Sequence, residues 1–288
     1  MKSILVAKNI IKEYGDNTAK FRALDDVSLE IKEGDFISIM GPSGSGKSTL
    51  LNILATIDIC TKGKVIINNK DVRALKEREL CEFRRNNIGF IFQDCNLLDT
   101  LTIRDNILAP LILLSVPKDE CDKKVSDVAK RLEIEEILDK YPAECSGGQR
   151  QRAAACRALV TNPKMIVADE PTGALDTKNS NELLSILQTL NRESNITVVM
   201  VTHDSLIGSY ANTLLFIKDG KIENTLDRDG LSQMEFYNQI VRETSRESNS
   251  IFNEENNTSE NESNKIEKIM QENIRLKKMI KELEKKIS

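Results

Sequence analysis

Apolar residues along the first 226 positions of the chain fall into two alternating patterns. Short and almost continuous apolar runs occur in FISIMG (36–41), IGFIFQ (88–93), KMIVADE (164–170) and ITVVMVTHD (196–204). Runs of this kind are typical of strands in a sheet that is covered on both faces. Helix-type spacing of apolar residues follows several of them, so the sequence predicts a layered α/β domain.

The pattern becomes mostly helical between Gln93 and Tyr141, and the stretch from Asp119 to Lys140 is amphipathic and rich in charge. We interpret residues 94–160, approximately, as a helical subdomain inserted into the α/β core. With the flanking strands, this subdomain completes a first domain that we place at residues 1–242.

The composition changes after this domain. Residues 243–263 are polar and acidic and contain few apolar side chains. Such a segment buries too little apolar surface to fold, so we predict a disordered linker.

Residues 264–288 show a third pattern, with apolar side chains and one Asn in a heptad repeat. The repeat consists of Ile266, Asn273, Ile280 and Ile287 at one position and Ile269, Leu276 and Leu283 at the other. It predicts a C-terminal coiled-coil helix, in which the Asn would fix a parallel two-stranded register. A solvated and partly frayed helix is the alternative, because about three heptads is near the lower limit for an isolated coil.

Composition and charge narrow the classes of function. The chain has 288 residues, of which 40% are hydrophobic and 30% charged, with a formal net charge of -4. These values are typical of a globular protein and give no reason to expect nucleic acid as a partner. The longest apolar run, Ile107 to Val116, contains a proline and is too short to span a bilayer. The first ten residues lack the features of a signal peptide, so we expect a cytoplasmic protein.

Six cysteines lie at positions 60, 81, 95, 121, 145 and 156, with no CxxC pair and a single histidine in the chain. This spacing favours reduced thiols over disulfides or a zinc site.

The sequence GPSGSGKST follows the predicted strand FISIM and precedes the helical pattern LLNILA. Its glycines allow backbone N–H groups to turn inward around phosphates, Lys47 can reach the β- and γ-phosphate oxygens, and the Ser48 hydroxyl can bind Mg²⁺. The order of strand, loop and helix therefore predicts a nucleotide site. The predicted contacts are Gly41, Pro42, Ser43, Gly44, Ser45, Gly46, Lys47, Ser48 and Thr49.

Four further polar residues lie at the ends of the predicted strands. Asp169 is placed to hold the magnesium ion, mostly through water, and the neighbouring Glu170 to polarise the attacking water. His203, the only histidine, is either a structural residue or a contact of the γ-phosphate, and its place in this sheet favours the second role. Gln93 is either a polar residue at a strand exit or a ligand of magnesium or water that moves with the nucleotide state.

Together these motifs resemble the nucleotide-binding subunit of an ABC transporter, and the resemblance covers about residues 3–226. DEPTGALD (169–176) matches the Walker B motif and D-loop of that family, Gln93 its Q-loop, and His203 its switch histidine. Tyr14 matches the aromatic residue that stacks on adenine. The resemblance implies a P-loop ATPase core with a mostly parallel central sheet, an N-terminal antiparallel β region, and ATP and Mg²⁺ as ligands.

The segment CSGGQ contains the family signature SGGQ, Ser146 to Gln149. The resemblance implies that Ser146, Gly147, Gly148 and Gln149, with Asp176 of the D-loop, contact nucleotide, and that the signature acts on ATP held by another subunit. A helix N-terminus with free N–H groups binds anions without a lysine, which agrees with that role. One phosphate loop and one signature in each chain then predict a head-to-tail homodimer that encloses two ATP molecules.

Cys145 stands where the family usually has a leucine. A cysteine behaves as a small hydrophobe, so we expect it to loosen the anchor of the signature helix only slightly.

Within the family, FQDCNLLDTLTIRDNILAPLIL and ADEPTGALD are similar to the branch of macrolide-efflux, lipoprotein-release and cell-division ATPases, and most similar to the bacitracin and lantibiotic resistance type. This resemblance implies hydrolysis of ATP to power a separate membrane permease, docked near Gln93 to Asn106 on the inner face of the membrane. A sensor kinase is a further possible partner.

Two alternatives remain. One is a regulatory ATPase of the cell-division type that signals through a membrane partner. The other is a soluble ABC ATPase acting on DNA or ribosomes. The second is less favoured, because such proteins usually carry two nucleotide domains or a long coiled-coil insertion in the core.

Overall fold

The computed structural model describes residues 2–16, 19–67, 69–173 and 175–246, and every structural statement below refers to these residues. They form ten strands in two sheets, with helices on both sides of the larger sheet. The strands are β1 (Ser3–Tyr14), β2 (Phe21–Lys32), β3 (Phe36–Met40), β4 (Lys62–Ile67), β5 (Lys70–Asp71), β6 (Ile88–Ile91), β7 (Met165–Asp169), β8 (Thr197–Val201), β9 (Thr213–Lys218) and β10 (Lys221–Asp227).

The helices alternate with these strands and include three short 3-10 turns, at Val72–Ala74, Glu135–Ile137 and Pro142–Glu144. The α-helices are α1 (Lys47–Leu54), α2 (Glu77–Asn87), α3 (Ile103–Leu113), α4 (Lys118–Arg131), α5 (Gly147–Leu159), α6 (Thr177–Ser194), α7 (Ser205–Gly208) and α8 (residues 233–246). None of the helices in the described ranges is long and apolar enough to cross a membrane.

The central sheet has the strand order β10-β9-β3-β8-β7-β6. Neighbouring strands are parallel except for β9 and β10, which form an antiparallel hairpin at one edge. All five residues of β3 and all five of β8 are buried, which explains why their sequences are continuously apolar. Because the inner strands are parallel, their carboxyl ends lie along one edge of the sheet, and the loops carrying the predicted motifs follow there.

The smaller sheet is antiparallel, with the order β2-β1-β4-β5. Helix α1 packs against strands of both sheets, and one apolar cluster contains side chains from each layer, such as Leu5, Leu50 and Val199. The helix that follows the phosphate loop is thereby fixed on both sides.

Helices α3, α4 and α5 pack together as a helical layer, and α5 also contacts β6 and α6 of the core. Ala153 and Ala155 lie on different sides of α5, and both are buried. Side chains of this size allow the helices to approach closely. A second apolar cluster is continuous from this layer to β7 and β8, so the start of α5 is held firmly relative to the sheet.

The predicted fold class is confirmed for the core, and the differences concern boundaries. Gln93, Glu170 and His203 were included in predicted strands but lie in the loops that follow β6, β7 and β8. The amphipathic stretch Asp119 to Lys140 does not form one helix. The α-helix in this stretch is α4, which ends at Arg131. Glu133 then adopts a left-handed conformation at φ 55° that an α-helix does not accommodate.

The chain divides by its contacts between Tyr237 and Asn238, close to the predicted domain end at residue 242. Helix α8 continues to residue 246, so the first four residues of the predicted linker (243–263) are helical. The rest of that linker and the predicted coil at 264–288 lie outside the described residues.

Candidate active site

The phosphate loop connects β3 to α1. Gly46 caps α1 with φ 101°, a left-handed conformation, and a Cβ atom there would lie 2.4 Å from the Ala23 carbonyl oxygen. Glycine is therefore the residue that fits this turn. The first N–H groups of α1 have no partner within the helix, and their positive end faces the loop. This arrangement suits a phosphate group.

Lys47 begins α1, and its Nζ donates a hydrogen bond to the Pro42 carbonyl oxygen at 2.7 Å. Burial lowers the pKa of Lys47, while the nearby carboxylates of Glu170 and Asp169 oppose that shift. The ammonium group has three donors, so it can bind phosphate oxygens while it remains close to the loop.

Asp169 ends β7, and the Ser48 hydroxyl lies close enough to its carboxylate to affect the pKa of Asp169. Burial raises the pKa of Asp169, and the negative charge of Glu170 adds to this, against the opposing effects of Ser48 and Lys47. Carboxylate and hydroxyl oxygens are ligands that Mg²⁺ accepts. In the described part of the chain no group of three or more His, Cys, Asp or Glu side chains could hold a metal ion. The Ser48 and Asp169 oxygens therefore fit a Mg²⁺ that takes its remaining ligands from phosphate and water.

Glu170 and His203 meet at the same edge of the sheet. Their Oε1 and Nδ1 atoms are 2.9 Å apart, although the residues follow different strands. Glu170 adopts φ 43°, a left-handed conformation that turns the chain sharply after β7. Both side chains line a polar cleft of about 270 Å³ that also includes Thr172 and Asn181. A carboxylate beside a water-accessible cleft is placed to act on a water molecule.

Gln93 follows β6, and its side chain lies against the loop that begins with Glu170. A Cβ atom built on Gly173 would be 3.1 Å from Gln93 Nε2. The structure thus brings Gln93 to the loop that carries Glu170.

Tyr14 ends β1 and is about 41% exposed. Its hydroxyl donates to Asp58 Oδ2 at 2.7 Å. Burial, followed by the hydrogen bond to Asp58, raises the pKa of Tyr14, and the nearby Thr49 side chain opposes this. The aromatic side chain therefore lies near Thr49, the last residue of the phosphate loop.

The signature segment begins α5. Ser146 Oγ accepts a hydrogen bond from Gln149 N at 3.3 Å, and Gln149 Oε1 accepts one from Ser146 N at 3.0 Å. This is a reciprocal capping box, and the Ser146 hydroxyl can still donate to a ligand. A Cβ atom on Gly148 would lie 2.6 Å from Asn179 Oδ1, so the residue must be small for α5 to pack on α6.

The structure does not bring the signature into the cluster formed by the other predicted residues. Across the described residues, the hydrogen bonds of residues 146–149 do not reach the phosphate loop. Asp176 is occupied in capping α6, where Oδ1 accepts from Asn179 N at 2.8 Å. Ser146 and Asp176 are both exposed to solvent, so a second chain could still contact them.

Two side chains of α5 that the sequence reasoning missed hold the loop around Gln93. Gln151 Nε2 donates to the Phe92 carbonyl oxygen at 3.0 Å, and Arg157 donates to the Cys95 carbonyl oxygen at 2.7 Å. Gln151 is only 1% exposed. The sequence did contain one signal for them, because these polar residues lie among the alanines of α5, which are buried.

Cys145 is buried, and its Sγ lies 3.5 Å from the Tyr141 carbonyl oxygen. Burial raises the pKa of this thiol. Its position agrees with the expected role as an apolar anchor and not with that of a nucleophile.

Comparisons with known proteins agree with this geometry. A family model described as ABC transporter matches residues 24–173. The bacitracin export ATP-binding protein BceA of Halalkalibacterium halodurans is 48% identical over 240 residues, which cover 83% of this chain and 95% of that protein. The ABC transporter ATP-binding protein YxdL of Bacillus subtilis is 46% identical over 241 residues, covering 84% of this chain and 93% of that protein.

A solved structure gives the same result for the fold. The ATP-binding cassette MJ0796, from Methanocaldococcus jannaschii, has been determined as a dimer in a post-hydrolysis state bound to ADP and Pi. It superposes with a TM-score of 0.73 at 41% identity, and the match covers 77% of this chain and 98% of that one.

Proposed function

Since the chain belongs to the ABC transporter family of ATPases, we propose that it hydrolyses ATP as a head-to-tail dimer and thereby powers a separate membrane permease that protects cells from antimicrobial peptides. The observation that carries this proposal is the convergence of Lys47, Asp169, Glu170 and His203 at one edge of the sheet. The 48% identity to a bacitracin export ATP-binding protein supports the class of substrate.

Each residue of the cluster has a role in phosphoryl transfer. Lys47 and the N–H groups at the start of α1 bind the phosphates and neutralise the charge that develops during transfer. Glu170 accepts a proton from the attacking water, and His203 holds the γ-phosphate beside it. Ser48 and Asp169, together with Gln93, would hold a Mg²⁺ ion, which supplies positive charge to the phosphate oxygens when bound.

The second half of each site comes from the partner chain. Ser146 is exposed at the N-terminal end of α5, and Gly148 lies in the first turn that follows, where a helix terminus favours an anion. The dimeric structure of MJ0796 supports an arrangement of two chains. In that arrangement the signature of each chain closes the site of the other, and hydrolysis reopens the dimer.

A groove of about 360 Å³ between β6, α3 and α5 of this chain is suitable for docking of the permease. Its apolar rim includes Leu98 and Leu113, which are 56% and 62% exposed. Phe92, next to Gln93, also lines the groove. A cytoplasmic helix of the permease with an apolar face would cover this rim and contact the loop that holds Gln93. The protein would then be peripheral on the inner face of the cell membrane, and a sensor kinase could be a third member of the complex.

The experiment pairs the purified complex with a resistance assay. The ATPase is co-purified from membranes with its permease, and hydrolysis is measured with and without bacitracin. We expect the peptide to stimulate hydrolysis, and a deletion strain to become sensitive to it. Leu98→Asp and Leu113→Asp should abolish both co-purification and resistance, whereas Met234→Asp, an equally exposed apolar residue (67%), should not. A deletion strain with defective division and unchanged resistance would instead support the regulatory alternative.

A final proposal concerns the heptad residues beyond Arg246. We propose that they pair as a parallel coil along the two-fold axis of the dimer and keep the subunits together without ATP. Support comes from the repeat in the sequence, and linkage of this kind raises the effective concentration of each subunit at its partner.

A further inference from the structure

We propose that Lys12 and Asp58 are positioning residues that hold the Tyr14 ring in place for stacking on adenine, and that they tie recognition of the base to the helix carrying the phosphate loop. This inference rests on the proposed function, in which Tyr14 contacts the base of ATP.

Two side chains, Lys12 and Tyr14, meet at the Asp58 carboxylate. Lys12 Nζ donates to Asp58 Oδ1 at 2.6 Å and to the Ile59 carbonyl oxygen at 2.9 Å. The Tyr14 hydroxyl donates to the other carboxylate oxygen, Oδ2, at 2.7 Å. Each oxygen of Asp58 thus has its own donor, and the two donors come from the same strand, β1, two residues apart.

The Lys12 ammonium also lies 4.7 Å from the centroid of the Tyr14 ring. This distance is within the range of a cation–π interaction. The cation lies over one face of the ring, so a planar base would stack on the opposite face. Since Tyr14 is 41% exposed, a ligand can reach it.

The ion pair is shielded from water. The side chain of Lys12 is 11% exposed and that of Asp58 is 29% exposed. Solvent screens a pair in this environment less than one on an open surface. The three side chains therefore form a small preorganised unit, in contrast to a mobile surface tyrosine.

Asp58 is connected to α1 through the main chain. The N–H groups of Ile57 and Asp58 both donate to the carbonyl oxygen of Asn52 in α1, at 2.9 and 3.1 Å. The Thr49 side chain, near the start of α1, lies close enough to the Tyr14 hydroxyl to lower its pKa. The ring is consequently connected through Asp58 to the second half of the helix that begins with Lys47.

The alternative is that the Lys12–Asp58 pair only stabilises the packing of β1 on the following turn. The two roles predict different binding behaviour. If the pair positions the ring, its loss weakens the binding of ligands that have a base, and this effect disappears when the Tyr14 ring is absent. A purely structural role affects every ligand of the site, including inorganic tripolyphosphate, and persists without the ring.

The test uses the full-length protein with Asp58→Asn, Lys12→Met, Tyr14→Phe and Tyr14→Ala. Loss of one hydrogen bond should raise the KM for ATP by roughly 2- to 10-fold, with a smaller change in kcat. Inhibition by tripolyphosphate should be unchanged in Asp58→Asn. In the Tyr14→Ala background, Asp58→Asn should weaken ATP binding no further. Asp25→Asn provides the control, because this carboxylate also pairs with a lysine, Lys221, at 3.1 Å but has no contact with Tyr14 among the described hydrogen bonds.

The inference is overturned if Asp58→Asn weakens tripolyphosphate binding as much as ATP binding, or if its effect persists in Tyr14→Ala. If Asp58→Asn does not fold, Tyr14→Phe can be used, because it removes the same hydrogen bond and keeps the ring. An unchanged KM for ATP in Tyr14→Phe would also contradict the inference. If the proposed function itself is wrong, the result differs, because the unaltered protein would then not hydrolyse ATP.

Discussion

His203 Nδ1 lies 2.9 Å from Glu170 Oε1, and the two residues belong to loops that follow neighbouring strands of the central sheet. A single hydrogen bond thus orients the carboxylate that we assign as the base and the imidazole that we assign to the γ-phosphate. Because the second imidazole nitrogen remains for another partner, His203 can connect the base to the phosphate. The hydrogen bond therefore couples activation of water by Glu170 to binding of the γ-phosphate by His203.

The substitution Cys145→Leu tests whether the unusual residue before the signature limits the enzyme. Cys145 is 5% exposed and provides apolar packing, and the added carbons of leucine are worth on the order of 1 kcal/mol of contact. We expect the hydrolysis rate of the assembled transporter to change by less than about tenfold, which corresponds to roughly 1.4 kcal/mol in the barrier. A larger increase in steady-state ATPase rate would show that the cysteine substantially limits activity.

Thiol alkylation tests the assignment of the cysteines as buried and inert. Burial raises the pKa of Cys60, Cys95, Cys145 and Cys156, whereas Cys81 is only half-buried. A raised pKa leaves less thiolate at a given pH, so these thiols react slowly. At pH 8 we expect iodoacetamide to modify Cys81 about tenfold faster or more, as followed by peptide mass spectrometry. Comparable rates in native protein would contradict this, and denaturant should equalise the rates as a control.

Replacement of Gln151 tests the connection between the signature helix and the loop of Gln93. Gln151→Ala removes the side-chain bond to the Phe92 carbonyl oxygen and the acceptor of the Cys95 thiol, which should lower the free energy of unfolding by about 1 to 3 kcal/mol. Denaturant unfolding measures that change. Gln188→Ala is a matched control, because Gln188 makes the same kind of bond to the Tyr210 carbonyl oxygen at 3.0 Å.

Both variants are expected to lose stability, but only Gln151→Ala should also reduce hydrolysis stimulated by the permease. Equal stimulation in the two variants would show that the bond is structural only.

The motif residues could be predicted from sequence because each lies within a short segment with its own chemistry. The contacts between segments could not. Lys12 and Asp58 are 46 positions apart, and Gln151 and Phe92 are 59 apart. A single sequence contains no signal for such pairs, since they depend on how the strands and helices pack. Strand ends were misplaced for a related reason: the residues that continue an apolar run can still turn into a loop, as Glu170 does at φ 43°.

Truncation after Arg246 tests the proposed coil while retaining α8, which extends to that residue. We expect the truncated protein to self-associate more weakly without nucleotide, because the chains lose their linkage, and to bind ATP as before. Analytical ultracentrifugation measures the association. Full-length protein with Leu276→Asp and Ile280→Asp should behave like the truncation, since a charge in the seam opposes pairing. Equal dimerisation of all three proteins would reject the coil.

The central claim is that Glu170 activates water in an ATP site completed by a second chain, and Glu170→Gln tests it most directly. The amide retains the size of the side chain but accepts a proton poorly, so hydrolysis should fall by about 100-fold or more. With ATP, the variant should remain a stable dimer in size-exclusion chromatography, while the unaltered protein hydrolyses its ATP and dissociates. Hydrolysis at an unchanged rate would contradict the account.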